Sequence, residues 1–429
     1  MKRELIIYRD LLLDEVFSAV TALIDNAGTE GAQQSVNAGS ICGCVRKMAA
    51  AAEKYGVAGN LWNTWIAVLI AESENTFSLA HERREIPSGT LRDLAARDFE
   101  QIYYYLNAIN SAAEALPQYA PLLAENYEPL NVDALQVSCD AGKAVSELAE
   151  AVSSAKSSEE LLNAASDYYR KRGVGRFGLY GGFRWDAYTR EIVPALPLED
   201  IRLNDLIGYE DQKNTVIRNT IAFLDGRPAN NVLLYGEGGT GKSSTIKALL
   251  NEYAPRGLRM IEIYKHQMND LETILESVKN RNYKFILFMD DLSFEQFEVE
   301  YKFLKAFIEG GLEKRPDNVL IYATSNRRHL MKETWGDGAD KDDDMHESET
   351  MQEKMSLVDR FGLMIRYFSP EQAEYLRIVH SLADAYGVNT DPEELELGAI
   401  RWELKHGGFS GRSARQYVEF LAGEKEEAK

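Results

Sequence analysis

Gly236-Glu237-Gly238-Gly239-Thr240-Gly241-Lys242-Ser243 is the stretch on which the reading of this sequence turns. It fits G-x-x-x-x-G-K-[ST], a phosphate-binding P-loop. The run Asn231–Tyr235 before it is apolar and β-prone, and Ser244–Tyr253 after it carries Ile246, Leu249 and Leu250 at helical spacing. That strand–loop–helix setting is the one the motif needs. Glycine lets the backbone turn its N–H groups toward phosphate oxygens, and the following helix N-terminus adds partial positive charge. Gly236, Glu237, Gly238, Gly239, Thr240, Gly241, Lys242, Ser243 and Ser244 are therefore the expected phosphate cradle. Lys242 is expected on the β- and γ-phosphates and Ser243 on Mg²⁺. The same letters also read Gly236-x-Gly238-x-x-Gly241, a dinucleotide fingerprint with Glu262 as ribose acid. Lys-Ser directly after the last glycine, and an acidic pair further on, favour the P-loop.

Beyond the loop, an alternation of strands and helices begins at Asn204. A helix runs to Leu224 and stops at Gly226 and Pro228. Strands are expected at 231–235, 258–263, 284–289, 319–323 and 363–367, with helices between the first four. That pattern predicts an α/β fold with a doubly wound, five-stranded parallel sheet. After Pro370 the chain turns helical: Tyr375, Ile378, Val379 and Leu382 share a face, Asp391-Pro392 opens a second helix, and Ser413–Leu421 is a third.

Two strands end in groups that suit phosphate chemistry. Phe285–Met289 is continuously apolar, as a central parallel strand should be, and runs into Asp290-Asp291. Asp290 suits Mg²⁺ beside Ser243, and Asp291 is placed to orient or deprotonate an attacking water. The bland alternative is an N-cap for the next helix. Glu295, one helical turn on, is a fallback base. Ile321–Ser325 ends at Asn326, whose amide can bond both a γ-phosphate and that water, although Ser and Asn also cap strands for local reasons.

Residues 1–172 read as helical almost throughout. Leu5, Tyr8, Leu12, Val16, Val20 and Leu23 form one face of a first helix; Leu61, Trp65, Val68 and Leu69 mark another; Leu91, Leu94, Phe99, Ile102 and Leu106 a third. No catalytic constellation is found there. His81-Glu82-Arg83-Arg84-Glu85 lacks the second histidine of a metalloprotease helix. Tyr103-Tyr104-Tyr105 reads as core and helix surface. Gly173–Trp185 is too glycine-rich to hold a helix and reads as a linker with aromatic anchors. Arg184 or Trp185 could touch a nucleotide or a neighbouring subunit, but ordinary packing is the simpler reading. The expected domains are thus 1–172 (helical), 173–200 (linker), 201–370 (nucleotide-binding) and 371–429 (helical lid).

The chain has 429 residues, 48 Lys and Arg against 68 Asp and Glu, and a net charge of −20. Such a surface gathers neither duplex nucleic acid nor anionic lipid. Arg327-Arg328-His329 and Lys171-Arg172 are small basic spots, not a stripe. Nucleic acid stays open as a partner but without support from charge. The cysteines Cys42, Cys44 and Cys139 cannot form a disulfide framework. No signal peptide is evident, because charges return at Arg9, Asp10 and Asp14, and the apolar stretch Leu61–Ala71 is far shorter than the about 20 residues of a membrane span. A soluble, cytoplasmic protein with no membrane contact is expected.

P-loop, Asp-Asp strand, Asn-ended strand and helical tail together resemble the AAA+ ATPase superfamily, over roughly residues 201–421. The resemblance implies ATP with Mg²⁺, an adenine pocket at Ile207 and Gly208 within Leu206-Ile207-Gly208-Tyr209, and a homo-oligomer. In Ser356-Leu357-Val358-Asp359-Arg360-Phe361-Gly362 it implies an arginine finger, Arg360, serving the neighbouring subunit's site. In Gly408-Phe409-Ser410-Gly411-Arg412 it implies a lid arginine, Arg412, with Arg415 as the alternative. More narrowly, Phe183-Arg184-Trp185, Asp290-Asp291-Leu292-Ser293-Phe294-Glu295, Glu353-Lys354 and Asp359-Arg360-Phe361-Gly362 resemble an uncharacterised bacterial AAA+ family, a domain of unknown function. Most of the superfamily has Asp-Glu where this chain has Asp290-Asp291, which permits a slow switch in place of a motor.

Three functions follow as expectations. The first is an ATP-hydrolysing oligomer that remodels or loads an unidentified macromolecular partner, protein or nucleic acid. The second is an ATP-gated scaffold or loader with little or no turnover. A GTPase or small-molecule kinase is disfavoured, because no Asn-Lys-x-Asp guanine signature is present. The acidic run 337–349 reads as a solvated loop near a subunit interface.

Overall fold

Every position of the strand Val319–Ser325 is buried, and so is all of Phe285–Met289 beside it. A strand covered on both faces needs layers above and below it, which fixes the architecture around the phosphate loop. The computed structural model describes residues 4–27, 38–115, 122–123, 125–130, 139–294, 300–309, 316–326, 330 and 357–424. The chain divides into two compact units: Met1–Gly181 with Pro194–Leu198, and Gly182–Val193 with Glu199–Lys429.

The first unit is helical: α1 (Glu15–Asn26), α2 (Ala38–Tyr55), α3 (Leu61–Glu72), α4 (Thr76–Glu82), α5 (Thr90–Ala115), α6 (Cys139–Ser154), α7 (Ser158–Arg172) and α8 (Gly175–Leu179), with a two-residue antiparallel pair, β1 (Gly59–Asn60) and β2 (Asn126–Tyr127). Helix α3 is its centre and packs against α2, α5, α6, α7 and α8. The expected apolar face of α3 is therefore incomplete. Trp62, Ile66, Ala67 and Ile70 are fully buried, while Trp65 and Leu69 are half-buried. A helix surrounded on most sides carries little amphipathic signal to read.

The first expected helix is also broken. A 3-10 turn, Arg9–Leu13, precedes α1, and Asp14 takes an extended backbone between them. Its carboxylate caps α1 by accepting from Phe17 N at 2.7 Å, and also accepts from Trp65 Nε1 at 3.0 Å. The break shifts the phase by one residue, so Leu11 is buried and Leu12 is exposed. Just before the turn, the Asp98 carboxylate of α5 accepts from the backbone N–H of Ile6, Ile7 and Tyr8 at 2.6–3.0 Å. Asp98 is 0% exposed. Removing it strands N–H groups away from water.

The second unit holds a seven-stranded sheet in the order β4-β3-β6-β7-β8-β5-β9. The strands are β3 (Gly182–Asp186), β4 (Glu191–Pro194), β5 (Val232–Gly236), β6 (Leu258–Glu262), β7 (Lys284–Met289), β8 (Val319–Ser325) and β9 (Leu363–Tyr367). The pairs β3–β6, β6–β7, β7–β8, β8–β5 and β5–β9 are all parallel. The five expected strands are present, and β3 and β4 extend the sheet at one edge.

Those two strands come from the stretch expected to be a linker. The stretch also contains α8, contrary to the expectation that its glycines exclude a helix. The helix is a single turn, entered through Gly173 and Gly175 at positive φ, so the glycines serve its approach. In β3, Phe183 and Trp185 are buried and Arg184 is exposed, the period-two pattern of a strand. Trp185 Nε1 donates to Asp270 at 2.9 Å, a packing anchor of this unit.

Helices α9 (Glu210–Leu224), α10 (Lys242–Tyr253), α11 (Leu271–Val278) and α12 (Glu300–Glu309) accompany the sheet. Helices α13 (Gln372–Ala385), α14 (Pro392–His406) and α15 (Gly411–Glu424) form a lid with its own core of Tyr375, Val379, Leu395, Ala399, Ala414 and Val418. Asp391 caps α14, and Pro392 takes its first position. The acidic run 337–349, Glu295, Arg327-Arg328-His329, Glu353-Lys354 and Ser356 lie outside the described residues. Among the described residues no helix is long and apolar enough to cross a membrane.

Replacing Asp98 with alanine is expected to cost about 3 kcal/mol, because buried donors lose a charged acceptor. Urea unfolding followed by far-UV circular dichroism measures this; a loss under about 1 kcal/mol would mean that water satisfies those N–H groups.

Candidate functional site: a phosphate cleft at the strand ends

The sheet order decides which side chains can meet. Strand β8 lies between β5, which leads into the P-loop, and β7, which leads into the two aspartates. The register pairs Tyr235 with Ser325 and Ala323 with Met289, so the three strands end at nearly one level. Asn326, next along from β8, reaches both neighbours. Its Oδ1 accepts from Lys242 Nζ at 3.0 Å, and its Nδ2 donates to Asp291 Oδ1 at 2.8 Å.

Gly236 closes β5 at φ +134°. A Cβ there would strike the Tyr367 carbonyl of β9, which instead accepts from Glu237 N at 3.2 Å. Only glycine lets the loop start this close to the neighbouring backbone. The loop then folds over Lys242, whose ammonium donates to Gly236 O at 2.9 Å and Glu237 O at 2.6 Å. Thr240 Oγ1 donates to Glu237 O at 2.9 Å. Lys242 is 6% exposed. Burial pulls its pKa below the usual lysine value; the carboxylates of Asp291, Asp290 and Glu237 oppose that shift, and the nearby charge of Arg412 adds to it. A desolvated ammonium among carbonyls, at the N-terminus of α10, suits an incoming polyanion.

Ser243 Oγ donates to Asp290 Oδ1 at 2.5 Å. Thr324 Oγ1 donates to the same oxygen at 2.5 Å and accepts from Asp291 N at 2.9 Å. Asp291 sits at φ +48°, a left-handed conformation that costs a non-glycine residue on the order of 1 kcal/mol. Among the described residues no group of three or more His, Cys, Asp or Glu side chains could hold a metal ion. One hydroxyl and one carboxylate instead match Mg²⁺, which keeps most of its waters and takes its remaining ligands from phosphate. Ser243 and Asp290 fit that ion in company with a nucleotide.

A cleft of about 440 Å³ joins these groups to the lid. Ile207 and Gly208 line it, as do Gly239–Ser244, Asp290, Asp291 and Asn326. Arg412 and Arg415 both line it from α15, so the alternatives lie together. Gly239 O accepts from Arg412 N at 3.3 Å, and a Cβ on Gly239 would come within 3.0 Å of Arg412 Cβ.

Arg360 is placed elsewhere. It is exposed, in the turn before β9. Leu363 of β9 is in register with Val232 and Tyr367 with Gly236, so Arg360 lies toward the opposite end of β5 from the P-loop. Strand rise alone puts about 13 Å between those levels.

Several lining groups were not assigned from sequence. Thr324 was read only as part of a strand. Lys213, 6% exposed, donates to Leu206 O at 2.5 Å and Glu210 Oε1 at 2.8 Å and so pins the segment before Ile207. Its position one helical turn past Tyr209 was the available signal. Tyr209 is left-handed at φ +57°, stacks on Tyr367 with centroids 4.9 Å apart, and donates to Phe368 O at 2.6 Å. Ile378 and Leu382 of α13, read only as a packing face, line the cleft. His81 and Glu82, in the other unit, are buried, and Glu82 accepts from Val174 N at 3.1 Å.

A family model described as "Protein of unknown function (DUF815)" matches residues 179–425. The chain belongs to this family. Within the DUF815 match lie the parallel sheet, the P-loop between β5 and α10, the cleft and the lid. Among curated proteins, no match to this DUF815 chain is found. Solved structures similar to it include the RuvB Holliday junction branch migration motor of Thermotoga maritima, at 17% identity and TM-score 0.37, over 51% of this chain and 63% of that one. The FIGL-1 AAA domain in complex with ADP is similar at 18% identity and TM-score 0.38, over 54% and 76%. The DUF815 chain thus spans less than two thirds of the RuvB chain it matches.

Lys242→Ala is expected to weaken binding of a fluorescent adenine triphosphate by about 100-fold or more while leaving the melting temperature within a few degrees, because a charged donor facing phosphate is lost but no buried partner is stranded. Equal affinity in the two proteins would remove the cleft from consideration as a phosphate site.

Proposed function

We propose that this protein is a Mg²⁺-dependent ATPase that works as a homo-oligomer and uses ATP to remodel or load a protein partner. The observation that carries the reading is Asn326, bonded at once to Lys242 and Asp291. One side chain thereby joins the phosphate-binding group to the carboxylate that faces water. On ATP binding, Lys242 exchanges carbonyl partners for phosphate oxygens, and the N–H groups of the loop and of α10 take the remaining charge. Asn326 then orients a water against Asp291, which accepts its proton. Bound Mg²⁺ supplies charge neutralisation at the phosphates, and Ser243 and Asp290 would hold it. Ile207 and Gly208 border the base, and Arg412 or Arg415 brings positive charge from the lid.

Arg360 supports the oligomer. Lying toward the far end of its own β5, it suits the site of an adjacent copy, where a cation stabilises transition-state charge. The acidic charge of the whole chain, −20, favours a protein partner over nucleic acid or an anionic membrane surface. The helical unit, nearly all of which precedes the DUF815 match, is the candidate docking module. The segments 201–370 and 371–429 divide the rest into nucleotide-binding core and lid, and β3 and β4 from the stretch 173–200 add to the core's sheet.

A second reading has its own observation. Asp291 is one methylene shorter than glutamate, left-handed, and already bonded to Asn326. Those features favour a slow ATP-gated loader over a fast motor.

Lys242→Ala and Arg360→Ala are each expected to lower ATP turnover by about 10³-fold, and an equimolar mixture to regain activity, since one copy supplies the loop and another the arginine. Mixtures as inactive as their parents would remove Arg360 from a neighbour's site. Wild-type protein that binds ATP, never turns it over and never self-assembles would end the remodelling reading.

A further inference from the structure

The two aspartates are held by one residue of the adjoining strand. Thr324 is 2% exposed and makes three hydrogen bonds to consecutive residues of the other chain segment. Its hydroxyl donates to Asp290 Oδ1 at 2.5 Å and accepts from Asp291 N at 2.9 Å, and its carbonyl accepts from Leu292 N at 2.7 Å. Strand alternation puts Thr324 and Asn326 on the same side, with Ser325, 0% exposed, turned to the other. The end of β8 therefore addresses Asp290 through Thr324 and Asp291 through both residues.

Resting on the ATPase reading above, we infer that Thr324 is a positioning residue: its hydroxyl aims the Asp290 carboxylate at the metal and holds Asp291 in its left-handed conformation. Three donors converge on Asp290 Oδ1, namely Ser243 Oγ, Thr324 Oγ1 and, at 3.2 Å, Asp291 N. Ser243 is the group that turns toward a metal when one arrives. Thr324 then remains as the hydroxyl on Oδ1. A hydrogen bond to one oxygen narrows the orientations a carboxylate can offer, which is how outer hydrogen bonds tune a metal site. The same hydroxyl holds the amide of Asp291, so loss of the threonine loosens both acids together.

The test compares Thr324→Val, which keeps the shape and loses the hydroxyl, with Thr324→Ser, which keeps the hydroxyl. Two readouts are used: the Mg²⁺ concentration for half-maximal ATP turnover, and Mn²⁺ binding to the ADP complex by electron paramagnetic resonance. Thr324→Val is expected to need about 10- to 100-fold more Mg²⁺ and to bind Mn²⁺ more weakly by a similar factor, with ADP affinity in EDTA unchanged. Thr324→Ser is expected to stay within about threefold of wild type in both. Thr324→Val that binds Mn²⁺ as tightly as wild type overturns the inference. Thr324→Ala takes the place of a valine variant that fails to fold. Misfolding of both, with Thr324→Ser normal, would assign the hydroxyl to the fold and equally overturn it. Wild-type protein without turnover sinks the ATPase reading alone, because the Mn²⁺ measurement still decides the role of Thr324.

Discussion

Parallel register across three strands is the constraint on which the site depends. With β8 between β5 and β7, the residues that end β8 face the P-loop on one flank and the two aspartates on the other. Asn326 and Thr324 occupy those places, and their hydrogen bonds tie the P-loop lysine to both aspartates. A slip of one residue in the β7–β8 pairing would turn Thr324 and Asn326 to the opposite face and separate these groups. The burial of every residue in β8 is what makes such a slip costly. Packing on two faces thus sets the chemistry at the strand's end.

Much of the nucleotide-binding fold was legible because its strands are short, apolar and separated by helices. Gly236–Ser243 announced itself through chemistry that few residues can supply, and Asp290-Asp291 through an abrupt change from apolar to acidic. The two strands added beside β6, β3 and β4, were not legible. Gly182–Asp186 sits in a glycine-rich stretch, and five residues of alternation are too few to outweigh glycines that in fact serve the preceding turn. Thr324 was hidden for another reason: a threonine in a strand looks like packing until its neighbour across the sheet is known. The same holds for Lys213, whose importance lies in a backbone carbonyl.

In the helical unit the misreadings share one cause. Periodicity reports a face, and α3 is covered on most sides because five helices pack against it. Asp14 shows the complementary case, where one short polar side chain satisfies a helix end and displaces the pattern by a residue. Neither is visible to a rule that counts apolar positions. Both follow from where backbone N–H groups find acceptors.

The contact between lid and loop is made by backbone atoms, Arg412 N to Gly239 O. Almost any residue at position 412 carries that donor, proline being the exception, whereas Gly239, at φ +74° and close to Arg412 Cβ, has no such latitude. Electrostatics at position 412 can therefore drift while the joint persists. A descendant of this chain could lose its lid arginine, and with it the charge in the cleft, and still inherit the hinge.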